Sequence, residues 1–373
     1  MKIECVKDKL QKAISGTERI TGKQLPLPVL NSIVISTQDK SLVLRATNLD
    51  VSIEYTIPAK IEKKGTVAVN GKLLLNFIYN LPPSSTLSME VIGNNLHINT
   101  KYTNTSIKTV SVDDFPKFQY LKEGDGVESF KIQAKNLASG FRNVSFSAAT
   151  NDIKPEISSI FIHRRGKELV LVATDSFRLA EFETESRKVE WGSEDLFGAL
   201  VPHRNSGEII RIFEEDEDEA IVCVSKNQLS IKTPTIYLLT RLIDGIFPDL
   251  SQVFPKKSTT EVVILKQDLS QALKVVSVFA DKFNRVGLKA LPKEKVIELY
   301  SRNQESGESV VRLDATLEGE DIDIQFNARY ILEAFSSILE DSITLSFNGK
   351  ERPLVVHGSG NPRFTYLVMP LNT

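Results

Sequence analysis

The side chains that most often carry out catalysis or bind metals are few and scattered in this sequence. Its four histidines are His97, His163, His203 and His357. They show neither the HxH nor the HExxH spacing that suits zinc. Cys5 and Cys223 are too few for a metal cluster, a disulfide framework or a CxxC redox pair. We expect both cysteines to be small core residues and predict no metal site.

Motifs for nucleotide or acyl chemistry are missing as well. The sequence contains no Walker phosphate loop, no Rossmann glycine fingerprint and no GxSxG elbow. Asp175 could be a general acid or base, but no second carboxylate can be paired with it from sequence. The acidic run at 214–219 favours a solvated loop over a metal site. We therefore predict a protein that is not an enzyme and that needs no cofactor.

Length and charge limit the remaining classes. A chain of 373 residues has room for two or three domains, and 41% hydrophobic with 25% charged residues is typical of a globular protein. A formal charge of −2 argues against a surface that is basic all over, so any nucleic-acid-binding surface must be local. With no bilayer-length apolar run and no signal peptide, the sequence predicts a cytoplasmic protein.

A weak internal repeat, with a period of roughly 120 to 130 residues, indicates three domain-sized copies of one plan. Each copy has a strand entering a helix, a pair of strands, a short strand entering a second helix, and a closing hairpin. The predicted helices are 7–14 and 72–81, 134–146 and 204–213, then 266–280 and 329–339. The predicted strand pairs are 32–36 with 42–46, 159–163 with 169–173, and 286–290 with 296–300.

The repeat predicts an α+β fold in which two helices pack on antiparallel strands in every copy, because hairpin-length connections favour antiparallel pairing. Charged and small residues concentrate near 123–128 and 256–261. The predicted domains are therefore 1–125, 126–257 and 258–373.

Four segments carry a resemblance to a known family. They are Leu27-Pro28-Val29-Leu30, Ala173-Thr174-Asp175-Ser176-Phe177-Arg178-Leu179-Ala180, Phe247-Pro248-Asp249 and Tyr366-Leu367-Val368-Met369-Pro370. In this order and spacing the chain resembles, from Met1 to Thr373, the β subunits of bacterial replicative DNA polymerases, the sliding clamps. The resemblance implies a head-to-tail homodimer whose two three-domain chains close a ring around duplex DNA.

The resemblance also implies that the paired helices line the hole and touch DNA without reading its sequence, which answers the objection from net charge. The expected DNA contacts are Lys23, Gln24, Asn151 and Arg204 on loops, with Lys12, Lys72, Arg142 and Arg211 on predicted helices. Relatives commonly carry arginine where Gln24 stands, and Lys23 is the expected substitute.

A hydrophobic pocket between the second and third domains is a further implication of the resemblance. In this family it receives short linear peptides of the replicative polymerase, the clamp loader, and repair and translesion polymerases. The matching residues are Ile157, Thr174, Ser176, Phe177, Arg178, Leu179, Pro248, Val253, Pro353, Leu367, Val368, Met369 and Pro370. Thr174 and Arg178 are expected to offer polar contacts at the rim. Phe177 stands where relatives often carry histidine, which implies a more apolar wall.

For the dimer seam, the resemblance points to Thr105 and Ile107 on an edge strand and to Val278, Phe279 and Phe283 in the third domain. An alternative from another class is a tandem-domain adaptor that binds peptides and never surrounds DNA. Basic residues on the predicted helices of all three copies favour the ring.

Overall fold

The computed structural model describes residues 1–22, 28–83, 85–122, 124, 126–151, 153–192, 198–250, 253–255 and 257–371. The chain divides into two compact units. The first contains Met1–Lys135, Glu190–Asp195 and Glu208–Leu242, and the second contains Asn136–Val189, Leu196–Gly207 and Ile243–Thr373. No helix among the described residues is long and apolar enough to cross a membrane.

The first copy contains β1 Lys2–Val6, α1 Lys7–Glu18, β2 Ser32–Gln38, β3 Ser41–Thr47, β4 Val51–Pro58, β5 Lys60–Lys63, β6 Thr66–Asn70, α2 Gly71–Tyr79, β7 Thr86–Ile92, β8 Asn95–Asn99 and β9 Asn104–Val110. The second contains β10 Glu128–Gln133, α3 Ala134–Ser145, β11 Ser159–Arg165, β12 Glu168–Thr174, β13 Arg178–Glu183, β14 Val189–Trp191, β15 Gly198–Pro202, α4 His203–Phe213, β16 Glu219–Val224, β17 Gln228–Lys232 and β18 Ile236–Arg241.

The third contains β19 Thr260–Leu265, α5 Lys266–Ser277, β20 Arg285–Leu291, β21 Val296–Asn303, β22 Gly307–Asp314, β23 Thr316–Gly319, β24 Ile322–Asn327, α6 Ala328–Ala334, a 3-10 turn Phe335–Ser337, β25 Ser342–Phe347, β26 Leu354–Gly358 and β27 Asn361–Val368. The order of helices and strands is the same in all three copies. The predicted α+β repeat of two helices per copy is therefore confirmed.

Two strands in each copy were not among the predicted blocks: β4 and β5, β13 and β14, and β22 and β23. β5 and β14 are short, and β4 and β13 pair with strands of the following copy, a partnership that a local turn pattern does not reveal. The last predicted helix is also too long, because α6 ends at Ala334 and the 3-10 turn follows it. Leu339, expected on its apolar stripe, is exposed.

Local sequence explains where several helices begin and what they bury. The Asn70 side chain accepts a hydrogen bond from the backbone N–H of Leu73 at 2.9 Å and starts α2, and Asn327 caps α6 in the same way. α1 buries Leu10 and Ile14 on one face. Cys5 and Cys223 form no disulfide and are buried, as predicted, and burial raises the pKa of the Cys5 thiol to about 12.

Antiparallel pairing continues the sheets from one copy into the next. In the first unit the strand order is β14-β10-β16-β17-β18-β4-β3-β2-β6-β9-β8-β7-β1-β5, and the β18–β4 pair joins the second copy to the first. In the second unit the order is β15-β11-β12-β13-β27-β26-β25-β19-β23, and the β13–β27 pair joins the second copy to the third. The third copy keeps a separate sheet, β22-β21-β20-β24.

Candidate functional site

A tight turn between β12 and β13 forms one wall of the candidate site. The Thr174 hydroxyl donates to the carbonyl of Arg178 at 2.7 Å and accepts the N–H of Ser176 at 3.1 Å. The carboxylate of Asp175 accepts the N–H groups of Phe177 at 2.9 Å and Arg178 at 3.0 Å. These bonds hold Ser176 at a φ of 77°, in the left-handed region that few residues other than glycine adopt.

This turn, the loop after β18 and the end of β27 enclose an apolar cavity of about 160 Å³. The lining residues are Ile157, Thr174, Ser176, Phe177, Arg178, Leu179, Pro248, Asp249, Leu250, Val253, Leu367 and Met369. Its floor belongs to a buried cluster that includes Leu179, Leu367 and Phe247. At its mouth Phe177 is 63% exposed and Met369 37% exposed. The arrangement is a preformed trough for apolar side chains.

Ten of the thirteen residues predicted for the pocket line this cavity. The other three, Pro353, Val368 and Pro370, lie outside the lining. Val368 is buried in the sheet opposite Arg178 and Leu354, because β-strand side chains alternate between faces.

Two lining residues, Asp249 and Leu250, were not predicted. The predicted pocket includes Pro248 and Val253. Residues between these two positions in the same loop could have been predicted to line the pocket as well.

Arg178 contributes to the cavity wall, but its guanidinium group is bound elsewhere. Nε donates to the Asp175 carboxylate at 2.9 Å, and Nη1 donates to the carboxylate of Glu333 on α6. The group also lies over the rings of Tyr330, at 4.4 Å, and Phe146, at 5.7 Å. The Arg178 side chain is only 11% exposed. It therefore ties the second copy to the third.

The two side chains expected to offer polar contacts at the rim, Thr174 and Arg178, both have partners within the chain. The Thr174 hydroxyl is engaged within its own turn, and the charge of Arg178 is neutralised by two carboxylates. Both side chains line the cavity, and the polar contacts expected of them stay a prediction.

The same turn recurs in the first copy at residues 47–51. Thr47 donates to the carbonyl of Val51 at 3.1 Å and accepts the N–H of Leu49 at 3.1 Å. Asn48 accepts the N–H groups of Asp50 at 3.0 Å and Val51 at 2.7 Å. Leu49 has a φ of 78°. The backbone geometry is thus a property of the repeat.

The side chains on the two turns differ in polarity. Three equivalent positions show the difference. In the first unit they are occupied by Asp50, Ser52 and Arg241, and in the second unit by Phe177, Leu179 and Met369, in the same order. The same backbone therefore carries a polar surface at one copy junction and an apolar trough at the other.

The left-handed turn gives a direct stability test. We expect Ser176→Val to lower the free energy of unfolding by about 1–2 kcal/mol, because a branched side chain is strained at positive φ. Ser176→Gly should leave it unchanged or raise it, since glycine adopts this conformation freely. Urea denaturation of the three proteins checks the order. Equal stability of the valine and glycine variants would contradict it.

Of the residues expected to contact DNA, Lys12, Lys72, Arg142, Arg204 and Arg211 are exposed on α1, α2, α3 and α4. Asn151 is also exposed, in the loop after α3. Lys23 and Gln24 lie outside the described residues.

Arg204 helps to line a second cavity, of about 270 Å³, at the start of α4. Hydroxyl-bearing Thr150, Ser158 and Ser159 share this lining. The lining also includes Pro155, Pro202 and Ile243, so the cavity is mixed in polarity.

The residues expected at the dimer seam fall into two kinds. Val278 and Phe283, after α5, are 73% and 54% exposed, which leaves apolar surface uncovered. Thr105 and Ile107 lie on β9, whose second side pairs with β6 only at Thr109 and Val110. Ile107 is buried, so its side chain is unavailable to a partner and only its backbone can pair.

Three copies of one α+β unit, joined through continuous antiparallel sheets, place the chain in the class of DNA clamps. Models of the DNA polymerase III beta subunit match its N-terminal domain to residues 1–119, its central domain to 131–249 and its C-terminal domain to 251–372. The chain belongs to this family, the bacterial sliding clamps.

Individual relatives agree with this assignment. The beta sliding clamp of Bacillus subtilis is 25% identical over all of both chains, and that of Synechococcus elongatus is 26% identical over all of this chain and 99% of the relative. A Pseudomonas aeruginosa sliding clamp, solved bound to griselimycin, superposes with a TM-score of 0.93 at 22% identity and covers both chains completely.

Proposed function

We propose that two copies of this chain close head to tail into a ring that encircles duplex DNA and holds the replicative polymerase on it. The observation that carries the proposal is the continuation of sheets across copy boundaries. As a clamp the chain is a processivity factor; we propose that it has no catalytic role, needs no cofactor and works in the cytoplasm.

The repeat supports the closure of a ring. β4, β13 and β22 hold corresponding places in the three copies, as do β18, β27 and β9. Within the chain β4 pairs with β18, and β13 pairs with β27. By the same correspondence, β22 of the third copy and β9 of the first copy are left without such a partner. β22 lies at a sheet edge, and β9 is largely unpaired on one side. Pairing β22 of one chain with β9 of another would protect both edges, and two such seams close a ring of six domains.

The apolar residues support the same seam. Val278 and Phe283 follow α5. The ring of Phe279 lies beside Gly307, the first residue of β22: a Cβ atom at Gly307 would be 3.9 Å from it. Covering this exposed apolar surface against a second copy would add hydrophobic free energy to the strand pairing.

Contacts with DNA are proposed for Lys12, Lys72, Arg142, Arg211, Arg204 and Asn151, together with Lys23 and Gln24. The described members of this set are all exposed, and the cations stand on or at the start of helices. Phosphate contacts of this kind position a protein on DNA without sequence preference, so that the ring can slide. Because the whole chain carries a charge of −2, the proposed contacts depend on these individual cations and not on a positive charge of the whole chain.

The apolar cavity is proposed to bind linear peptides of the catalytic subunit of the polymerase, the clamp loader, and repair and translesion polymerases. Its size suits one branched aliphatic side chain of a peptide, with Phe177 and Met369 available for a neighbouring residue. Met369 can adapt to different partners because its side chain is flexible. Griselimycin on the Pseudomonas aeruginosa clamp supports ligand binding by this fold.

The test of encirclement is retention on DNA at moderate salt. The clamp is loaded onto a nicked circular plasmid, half of the sample is linearised, and both halves are passed through a gel-filtration column. We expect protein to stay on the circles and to leave the linear molecules through their free ends. Equal retention on both, or none on either despite a competent loader, would overturn the ring and favour the peptide-binding adaptor.

A further inference from the structure

Glu333 lies on α6 and is absent from the lining of the peptide pocket, yet it is linked to one of its walls. Its carboxylate accepts hydrogen bonds from Arg178 and, at 2.6 Å, from Arg329. Burial opposes its ionisation, but the bonds from Arg178 and Arg329 prevail and lower the pKa of the Glu333 carboxyl. The pair Arg178–Glu333 is therefore charged at neutral pH.

The surroundings make this pair stronger than an ion pair on the surface. Arg178 is 11% exposed and its guanidinium group lies on Tyr330. The carbonyl of Tyr330 accepts a bond from the hydroxyl of Tyr366 at 2.9 Å, and Tyr366 is fully buried on β27. Removing one partner of such a pair leaves a poorly solvated charge behind, which costs much more than losing an exposed pair.

Comparison of the two turns shows what the pair adds. The turn in the first copy has the same hydrogen bonds, with Val51 in the place of Arg178. The backbone conformation of the turn therefore does not require an arginine. The bond to Glu333 instead fixes the position of the turn, which carries Ser176 and Phe177, against α6 of the third copy.

We propose that Glu333 is a positioning residue for peptide binding: acting through Arg178, it holds the wall formed by residues 174–178 against α6 in the position that a bound peptide requires. The inference rests on the proposed peptide site. Because the wall is already ordered before the peptide binds, binding does not have to order it. Loss of the Arg178–Glu333 bond should therefore appear mainly as faster dissociation of the peptide.

The experiment compares the full-length wild type with Glu333→Gln, Arg178→Met and the double variant. A synthetic peptide ending in leucine and phenylalanine is titrated by calorimetry, and its dissociation rate is measured by surface plasmon resonance. We expect Glu333→Gln to weaken binding about tenfold, since the bond lost involves charged groups. In the Arg178→Met background the same change should have no further effect, because the two residues act as one unit.

Arg329→Gln is the matched control, since Arg329 is bound to the same carboxylate but is 74% exposed. It should change peptide affinity less than twofold. Thermal unfolding of each variant shows whether it is folded. A general loss of stability would not make the effect of Glu333→Gln on peptide affinity disappear in the Arg178→Met background.

Unchanged affinity of Glu333→Gln, or an equal loss in the presence and absence of Arg178, would overturn the inference. Absence of binding to the wild type would overturn the proposed peptide site itself, so the two failures are distinguishable.

Discussion

Val278→Asp combined with Phe283→Asp is expected to convert the dimer into monomers. Both side chains are apolar and exposed in the single chain, and the proposed seam would cover them. An aspartate there is harmless to the monomer, but it would be desolvated without a partner in the dimer, which costs several kcal/mol. Because each ring has two seams, we expect the dissociation constant of the dimer to rise by at least about a thousandfold. Sedimentation equilibrium measures it.

The control for this prediction carries the same added charge elsewhere. Ile153→Asp combined with Leu339→Asp alters two apolar residues that are 83% and 88% exposed and lie outside the proposed seam. That variant should remain dimeric. The seam variant should keep wild-type affinity for the peptide probe, because the pocket is complete within one chain. If the seam variant and the control variant had the same dissociation constant for the dimer, Val278 and Phe283 would face solvent in the assembly and the prediction would be wrong.

Much of the fold could be predicted because the information is local. The apolar spacing of Leu137, Phe141 and Val144 predicts α3, and all three are fully buried or nearly so. The asparagines that precede α2 and α6 cap these helices by accepting backbone N–H groups of the first turn. In both cases the partner group lies within one helical turn in sequence, where a single chain segment reveals it.

The rest could not be predicted because it depends on partners distant in sequence. β4 and β13 are paired on one side by strands of another copy, more than a hundred residues away. The sequence resemblance predicts polar contacts of Arg178 at the rim, whereas its partner Glu333 lies 155 positions along the chain. Such a contact is fixed by tertiary packing, and no pattern around residue 178 encodes it.

Ile107 illustrates a finer limit. The sequence resemblance identifies its strand as an edge, but the face to which a side chain points depends on register, and a shift of one residue reverses it. The pairing of Leu96 with Ile107 sets that register and turns Ile107 into the core. A seam made by β9 therefore relies on backbone hydrogen bonds at this position.

Met369→Asp is expected to weaken the peptide probe by at least about a hundredfold, because a carboxylate at the mouth would lose its water against an apolar ligand. Met369 is partly exposed and pairs through its backbone, with its N–H donating to the carbonyl of Phe177 at 2.8 Å. The change should therefore leave the fold and the dimer intact. Leu179→Ala is a poorer choice, since Leu179 belongs to the buried cluster and its removal would also destabilise the protein.

Ile246→Asp is the matched control for the pocket. Ile246 precedes the buried Phe247 in the same loop, is 90% exposed and does not line the cavity. Calorimetry should show wild-type affinity for this variant and none for Met369→Asp at concentrations that saturate the wild type. Met369→Asp should still sediment as a dimer, because dimerisation depends on the seam and not on the pocket. If both variants lost the peptide equally, binding would follow the charge of the loop rather than the cavity, and the assignment of the pocket would be wrong.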